Sequence, residues 1–306
     1  MRIALIGQAA FAERAVEVLH SRGEEIVHIF APPDSSGGRP DPLKTKALAL
    51  GLPLSQPSTF KSDDAFEQFR ALDAELLVMS FVTLIVPERI LYAPRHKAIC
   101  FHPSLLPRHR GASAINWTLI MGDATAGVTW FWPDKSIDTG PILLQRSEII
   151  RDEDTVGSLY FNRLLPLGIE TMVEAIELIK IGSAPSAAQD ESLATYEPPC
   201  RDEHAKVIFV RSAREVFNLV RGCDPQPGAY AQAGGERLRL YEPILENRQS
   251  ESPIGTVVSI DTAGMRVALE GATMMVRRVR FDSSPKKVAP HELAVGGRLH
   301  VLTRLE

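Results

Sequence analysis

The chain is poor in the features that mark the more specialised protein classes. It has three cysteines, Cys100, Cys200 and Cys223, which are too few and too scattered for a disulfide framework or a zinc site. No apolar run approaches the roughly 18 residues that a membrane span needs. The formal net charge is only −4, so the large basic surplus typical of nucleic-acid-binding proteins is missing. We therefore expect a cytoplasmic globular protein that binds no metal and no membrane.

Length and composition indicate two ordinary globular domains. The sequence has 306 residues, of which 44% are hydrophobic and 24% are charged. The amino-terminal stretch, MRIALIGQAAFAERAVEVL, contains a short apolar run that acidic residues soon follow. We interpret it as a first strand and helix rather than as a signal peptide.

Strand and helix patterns alternate through the first half of the sequence. The predicted strands are RIALIG, EIVHIFAPP, AELLVMSF, KAICFHPS and GVTWFW. This rhythm predicts an α/β fold with a doubly wound, mostly parallel, Rossmann-like sheet. A long helical pattern follows, interrupted at Pro166 and ended by Gly182.

The second half of the sequence predicts a smaller β domain. Residues 183–205 lack periodicity and are rich in Pro, Ser and acidic residues, so we interpret them as a linker between residues 1–182 and 206–306. Four short strands with glycine turns, RLRLYEP, GTVVSID, GMRVALEG and TMMVRRVRF, predict a small open barrel of the OB-like type. From Lys206 onward there are 15 basic and 11 acidic residues, a mild basic excess that is ordinary for a solvated surface.

The first strand ends at Gly7, which raises the question of dinucleotide binding. The sequence fingerprint of dinucleotide-binding sites has three glycines, which allow a tight turn, the close approach of the pyrophosphate and the packing of the helix. The sequence here is GQAAFAE, with Gly7 alone. An ordinary strand-to-helix turn explains it, and we predict no NAD site.

His102 lies at the end of a predicted buried strand. Alternate residues of a strand share a face, so Cys100 and His102 should point the same way. The carboxyl ends of strands in open α/β sheets are where ligands bind. A metal site formed by His102 and His109 is a weaker reading, because seven residues and a turn separate them and no carboxylate is in register.

Asp138 lies in a polar loop, PDKSIDTG, that follows the predicted strand ending at Trp132. If this strand lies beside the one that carries His102, the two side chains could meet at the edge of the sheet. A carboxylate beside an imidazole can act in general acid–base catalysis. A single histidine at a strand end or a single aspartate in a turn, however, more often has a structural role.

Two longer motifs resemble a known family. HPSLLPRHRGASAINWTLIMGD and SIDTGPILLQ resemble the formyltransferases that use 10-formyltetrahydrofolate. Among them, the sequence is most similar to the amino-terminal hydrolase domain of 10-formyltetrahydrofolate dehydrogenase, and it is also similar to methionyl-tRNA formyltransferase. The resemblance covers most of residues 1–230, and it implies 10-formyltetrahydrofolate as the formyl donor.

The resemblance also implies roles for individual residues. His102 matches the catalytic histidine of the family and Asp138 its catalytic aspartate. The walls of the pterin pocket are matched by Ser80, Phe81, Leu84, Ile85, Ser136 and Ile137. Plain core packing would explain the apolar members of this set equally well.

Cys100 departs from the transferase motif, which has Asn two residues before the histidine. Asn donates a firm hydrogen bond to an oxyanion, whereas a thiol is a weak donor. The hydrolase domain of the dehydrogenase also lacks this Asn. A nucleophilic Cys100 that takes the formyl group as a thioester is the alternative, but no neighbouring residue obviously lowers its pKa.

The prediction is an enzyme that transfers the formyl group of 10-formyltetrahydrofolate to an acceptor amine through His102 and Asp138. The alternatives are a hydrolase that releases formate and tetrahydrofolate, a methionyl-tRNA formyltransferase acting on initiator tRNA, and a folate-binding module without catalysis. Arg108 and Arg110 could hold an anionic part of the acceptor, or they could be ordinary surface arginines. The sequence identifies neither the acceptor nor the oligomeric state.

Overall fold

The computed structural model describes residues 1–306, which form two compact units. The first unit consists of Met1–Arg110, Gly127–Ser147 and Arg163–Tyr196, and the second of Gly111–Ala126, Glu148–Asn162 and Glu197–Glu306. The predicted segments 1–182, 183–205 and 206–306 divide the chain differently. Gly111–Ala126 and Glu148–Asn162 belong to the second unit although they lie in the first half of the sequence. The predicted linker is divided after Tyr196, its earlier part belonging to the first unit and its later part to the second.

A seven-stranded sheet organises the first unit. Its strands are β1 (Arg2–Gly7), β2 (Glu25–Phe30), β3 (Leu54–Ser55), β4 (Leu76–Ser80), β5 (Ala98–His102), β6 (Thr125–Phe131) and β7 (Ile142–Ile149). Their order is β3-β2-β1-β4-β5-β6-β7, and the pairs from β3 to β5 are parallel. β6 pairs antiparallel with β5. The predicted Rossmann-like, mostly parallel sheet is confirmed.

Helices cover both faces of this sheet. They are α1 (Ala9–Ser21), α2 (Pro42–Ala49), α3 (Asp63–Arg70), α4 (Glu88–Leu91) and α7 (Leu165–Lys180). On one face, the rings of Phe11 and Phe101 stack with their centroids 3.8 Å apart. On the other face, Phe30 packs with Phe60 and Phe69 in a core that Cys100 borders. The apolar residues of β1, β4 and β5 are therefore buried from both sides, as their continuous hydrophobic runs predict.

The predicted long helix is three consecutive elements. α6 (Val156–Leu159) is followed by a π-helical turn, Tyr160–Leu164, and then by α7. Pro166 has no N–H to donate to the carbonyl of Asn162, so the regular hydrogen-bond ladder is interrupted at this point. The interruption predicted at Pro166 is confirmed.

The second unit contains a curled antiparallel sheet of five strands. They are β8 (Tyr230–Ala233), β9 (Glu236–Glu246), β10 (Val257–Ile260), β11 (Met265–Leu269) and β12 (Ala272–Phe281), in the order β10-β11-β12-β9-β8. Sequence patterns miss β8 because its four residues, YAQA, include no β-branched side chain. The last residues bond to both edges of the sheet: Glu306 pairs with Gln232 in β8, and Thr303 accepts from Val257 in β10.

The helices of the second unit are α5 (Ala114–Ile120), α6, α8 (Ala213–Gly222) and α9 (Pro290–Val295). α8 begins with a capping box in which Ser212 and Glu215 satisfy each other's backbone N–H groups. Its apolar residues Val216, Phe217 and Val220 are buried in the barrel core. None of these helices combines the length and the hydrophobicity that a membrane-spanning helix requires.

Gly168 in α7 tests how tightly the first unit is packed. A Cβ at this position would lie 2.6 Å from the ring of Phe101 and 2.7 Å from the ring of Phe11. Alanine gains about 1 kcal/mol of helix propensity over glycine, but overpacking a core costs about 1–3 kcal/mol. We expect Gly168→Ala to lower the free energy of unfolding by about 1 kcal/mol net, which urea unfolding measures as a lower midpoint at unchanged m-value.

The matched control is Glu170→Ala, on an exposed position of the same helix. Its unfolding free energy should change by no more than about 0.5 kcal/mol. A stabilised Gly168→Ala protein would contradict the close packing of α7 on β5.

Candidate active site

His102 is the last residue of β5, and its side chain is buried. Ala98 and Cys100 point to the core that contains Phe30, whereas Phe101 points to the opposite face, where it meets Phe11. The predicted alternation along this strand is confirmed. Because β5 ends at His102, the imidazole lies at the carboxyl edge of the parallel strands.

The orientation of the His102 ring is set by a backbone carbonyl. Nε2 lies 2.7 Å from the carbonyl oxygen of His109, in the turn that follows β5. Because a carbonyl oxygen only accepts, Nε2 must carry the hydrogen, and the neutral ring then has its lone pair on Nδ1. The chain brings together no cluster of three or more His, Cys, Asp or Glu side chains with the geometry of a metal site.

Asp138 faces the other ring nitrogen. Its Oδ2 lies 3.5 Å from Nδ1 of His102, and both side chains are largely buried. The antiparallel pairing of β5 with β6 sets His102 opposite Thr129 and Cys100 opposite Phe131. β6 thus ends toward the start of β5, and the loop after it folds back for Asp138 to face the imidazole. The two residues that the sequence predicts as a pair therefore meet, at an ion-pair distance longer than an ordinary hydrogen bond.

Residues 132–141, here called the Asp138 loop, are held by bonds within the loop. Asp134 accepts from the backbone N–H of Ser136 at 2.9 Å and from the hydroxyl of Thr139 at 2.7 Å. A Cβ on Gly140 would lie 1.8 Å from the carbonyl oxygen of Trp132, so only glycine fits there. Asp138 itself has φ = 56°, a left-handed conformation that is costly for a residue other than glycine.

Cys100 shares the face of β5 with His102, but its chemistry does not favour attack. Burial raises the pKa of the Cys100 thiol well above its usual value, and the negative charge of Asp138 raises it further. The thiol is therefore protonated at neutral pH, whereas a nucleophilic cysteine needs a thiolate. Its side chain borders the apolar core, as a packing role requires.

The residues predicted to line a pterin pocket are placed in different surroundings. Ser80 is fully buried at the end of β4, and its hydroxyl has no hydrogen-bond partner. The Phe81 ring lies 5.9 Å from that of Phe101, on the face opposite to His102. Leu84 packs against the other core. Phe81 and Leu84 also line a cavity of about 20 Å³, which has room for about one water molecule.

The remaining predicted binding residues are divided between surface and interior. Ile85 and Ile137 are 66% and 62% exposed, which is unusual for large apolar side chains, and Ser136 is also exposed. Arg108 is exposed in the turn after β5. Arg110 is 1% exposed and forms an ion pair with Glu191, so its guanidinium is not presented to a ligand.

Part of the predicted linker contacts both the loop that carries Asp138 and the turn that binds His102. This segment, residues 187–196, is here called the strap, and its Ala187 exchanges two backbone hydrogen bonds with Ile142. Gln189 bonds to the backbone of the Asp138 loop, and Thr195 bonds to the backbone N–H of His109. Its sequence is polar and aperiodic, so nothing in the pattern indicates these contacts.

Comparison with known proteins identifies the family of this chain. Residues 1–176 match the Formyl transferase family, and residues 200–296 match its Formyl transferase, C-terminal domain. The chain belongs to the formyl transferase family. The resemblance to this family that its motifs indicate is confirmed.

Two curated relatives illustrate the range of this family. The mitochondrial 10-formyltetrahydrofolate dehydrogenase of Homo sapiens is 42% identical over 311 residues, covering 97% of this chain and 33% of that protein. The chain thus spans about a third of that relative. The methionyl-tRNA formyltransferase of Moorella thermoacetica is 35% identical, covering 95% of this chain and 94% of that protein.

Among solved structures, HypX from Aquifex aeolicus, determined in complex with tetrahydrofolic acid, has a similar fold. The TM-score is 0.71 at 18% identity, and the match covers 97% of this chain and 47% of that one. Because the identity is low, this likeness supports the predicted fold and says nothing further about the ligand.

The environment of Cys100 predicts its reactivity toward alkylating reagents. Because burial and the Asp138 charge raise its pKa, the thiolate fraction stays small as the pH rises from 7 to about 9. Modification of Cys100 by iodoacetamide, followed by peptide mass spectrometry, should therefore be slow over this range. Asp138→Asn removes one of the two causes and should accelerate modification. Rapid alkylation of Cys100 at pH 7 would contradict the protonated thiol.

Proposed function

We propose that the protein transfers the formyl group of 10-formyltetrahydrofolate to a nucleophile, with His102 and Asp138 as the acid–base pair. The observation that carries the proposal is the meeting of these side chains at the carboxyl edge of the sheet, with Nδ1 and Oδ2 3.5 Å apart. Open α/β sheets bind ligands at this edge. Membership of the family supports the choice of a formyl-folate donor.

The hydrogen bonds of His102 assign different tasks to its two nitrogens. Nε2–H is bound to the carbonyl of His109, so Nδ1 is the nitrogen available for proton exchange. A proton on Nδ1 makes the ring a cation that faces the Asp138 carboxylate, which stabilises it. The attacking amine or water would lose this proton to Nδ1 as its bond to the formyl carbon forms. His102 would then donate it to the folate nitrogen as the bond between that nitrogen and the formyl carbon breaks.

Folate binding is supported by the edge of the sheet near β4. Here β1 is flanked by β2 on one side and by β4 on the other, which is the switch point where doubly wound sheets bind ligands. The buried hydroxyl of Ser80 lacks a partner at this point, and a pterin edge offers donors and acceptors. The exposed Ile85 and Ile137 are suited to cover an apolar ring face.

Hydrolysis, with water as the nucleophile, is the second candidate function. It is favoured by Cys100, because the hydrolase domain that the sequence resembles also lacks the amide side chain found at this position of the transferase motif. The 42% identity to a 10-formyltetrahydrofolate dehydrogenase points the same way.

Initiator tRNA is less well supported as the acceptor. Many of the arginines that produce the basic excess of the second unit are in ion pairs. Arg239 binds Asp202 and Asp282, and Arg266 binds Glu246 and Asp261. Arginines neutralised in this way contribute little to the release of counterions that drives nucleic-acid binding.

The proposed pair predicts the behaviour of two substitutions. His102→Ala and Asp138→Ala should each lower the release of tetrahydrofolate from 10-formyltetrahydrofolate by about 10²–10⁴-fold, because general acid–base catalysis contributes this much. The measurement is the initial rate of tetrahydrofolate formation, first without an added acceptor. His20→Ala, on the exposed end of α1, is the matched histidine control and should retain the wild-type rate.

The same assay distinguishes the candidate functions. Release without an acceptor that depends on both residues supports hydrolysis, or a transferase that leaks to water. Release only after addition of an amine or of initiator tRNA identifies the acceptor class. Near-normal turnover by His102→Ala would overturn the proposed mechanism, and absence of both turnover and folate binding would overturn the folate assignment.

A further inference from the structure

The side-chain amide of Gln189 links the Asp138 loop to a buried arginine. Its Nε2 donates to the carbonyl oxygens of Asp138, at 2.9 Å, and of Gly140, at 2.7 Å. Its Oε1 accepts from Nη2 of Arg110 at 2.8 Å and from Nε at 3.2 Å. Carbonyl oxygens only accept and a guanidinium only donates, so an amide satisfies both sides. A carboxylate or an ammonium group would satisfy one side only.

Arg110 is a fixed anchor for this amide. Its guanidinium forms a two-pronged ion pair with Glu191, at 2.9 and 2.7 Å, and donates to the hydroxyl of Tyr196 at 3.2 Å. Only 1% of the residue is exposed. Bidentate charge-assisted bonds of this kind restrict both distance and angle. Gln189 is therefore bound on one side to a group that has little freedom to move.

The backbone that Gln189 binds on its other side is strained. Asp138 has φ = 56°, and a non-glycine residue in this region costs of the order of 1–3 kcal/mol unless its surroundings hold it there. The direction of the Asp138 carboxylate depends on this φ value. We infer that Gln189, anchored by Arg110, is a positioning residue that directs the Asp138 carboxylate toward Nδ1 of His102. This inference rests on the proposed function of the His102–Asp138 pair.

The strap also reaches the other member of the pair. The hydroxyl of Thr195 accepts from the backbone N–H of His109 at 2.8 Å, and the carbonyl of His109 binds Nε2 of His102 at 2.7 Å. One short segment thus fixes the backbone of Asp138 through Gln189 and the acceptor of His102 through Thr195. The relative position of the two catalytic side chains depends on the strap.

Gln189→Glu tests the inference. The carboxylate keeps the bonds to Arg110, so the strap stays bound to the arginine. It also places an oxygen against the carbonyl oxygens of Asp138 and Gly140, so the two hydrogen bonds to the Asp138 loop are lost. We expect kcat for tetrahydrofolate release to fall about 10- to 100-fold, since small misplacements of catalytic groups cost this much. KM should change by less than about threefold, because uniform substrate binding is not altered.

Two controls separate positioning from a general structural effect. Gln68→Glu makes the same charge change on the exposed surface of α3 and should leave kcat unchanged. In an Asp138→Ala background, Gln189→Glu should cause no further loss, because it acts only through the missing carboxylate. An additional loss in the double variant would assign Gln189 a merely structural role. If Gln189→Glu fails to fold, Gln189→Ala is measured instead, alone and in the Asp138→Ala background. We expect the same loss of kcat alone and no further loss in the double variant.

The outcomes distinguish this inference from the proposed function. If His102→Ala is inactive but both Gln189 variants fold and turn over within twofold of the wild-type rate, the positioning role is wrong and the catalytic pair stands. If His102→Ala is active, the proposed function fails whatever Gln189 does. Loss of kcat in the Gln189 variants, with preserved KM and no further effect beside Asp138→Ala, supports the inference.

Discussion

The hydrogen bond from His102 to the carbonyl of His109 is the constraint on which the site depends. It fixes the protonated nitrogen of the ring and leaves the other nitrogen directed at Asp138. The carbonyl is available because the chain doubles back after β5, and that turn is held in place by Thr195. Three segments distant in sequence, the turn, the Asp138 loop and the strap, therefore determine the geometry of one imidazole.

Much of this could be predicted from the sequence, because the relevant signals are local. The alternation along β5 put His102 and Cys100 on one face, and the polar stretch PDKSIDTG indicated the loop that carries Asp138. The family followed from the residues of two motifs, HPSLLPRHRGASAINWTLIMGD and SIDTGPILLQ, which resemble it. The antiparallel direction of β6 could not be predicted, because the helical pattern between β5 and β6 is like the patterns that connect parallel strands. The antiparallel register directs the end of β6 toward the start of β5, so Asp138 faces the ring only because its loop folds back, which strand patterns do not specify.

The strap and its arginine lay beyond prediction for physical reasons. Gln189 acts on a backbone carbonyl 51 positions away and on a side chain 79 positions away. Backbone carbonyls carry no sequence signal, and a polar segment rich in Pro and Ser is typical of a linker. Arg110 was predicted as a surface or ligand-binding residue because charged side chains are seldom buried. Its burial is stabilised by the ion pair with Glu191, which is itself 69% exposed, and by the amide of Gln189.

Cys100 connects the electrostatics of the site to its chemistry. A thiol held neutral by burial and by the Asp138 carboxylate contributes little to an oxyanion, so in the proposed reaction the charge that develops must be met by His102. The same imidazole would also supply the proton for the leaving nitrogen. When one group performs both tasks, the reaction becomes sensitive to the angle and distance between Nδ1 and the carboxylate that stabilises its cation. A strained aspartate held by an amide on a buried guanidinium is a means of fixing that distance, and this explains why so much polar structure surrounds a single pair of side chains.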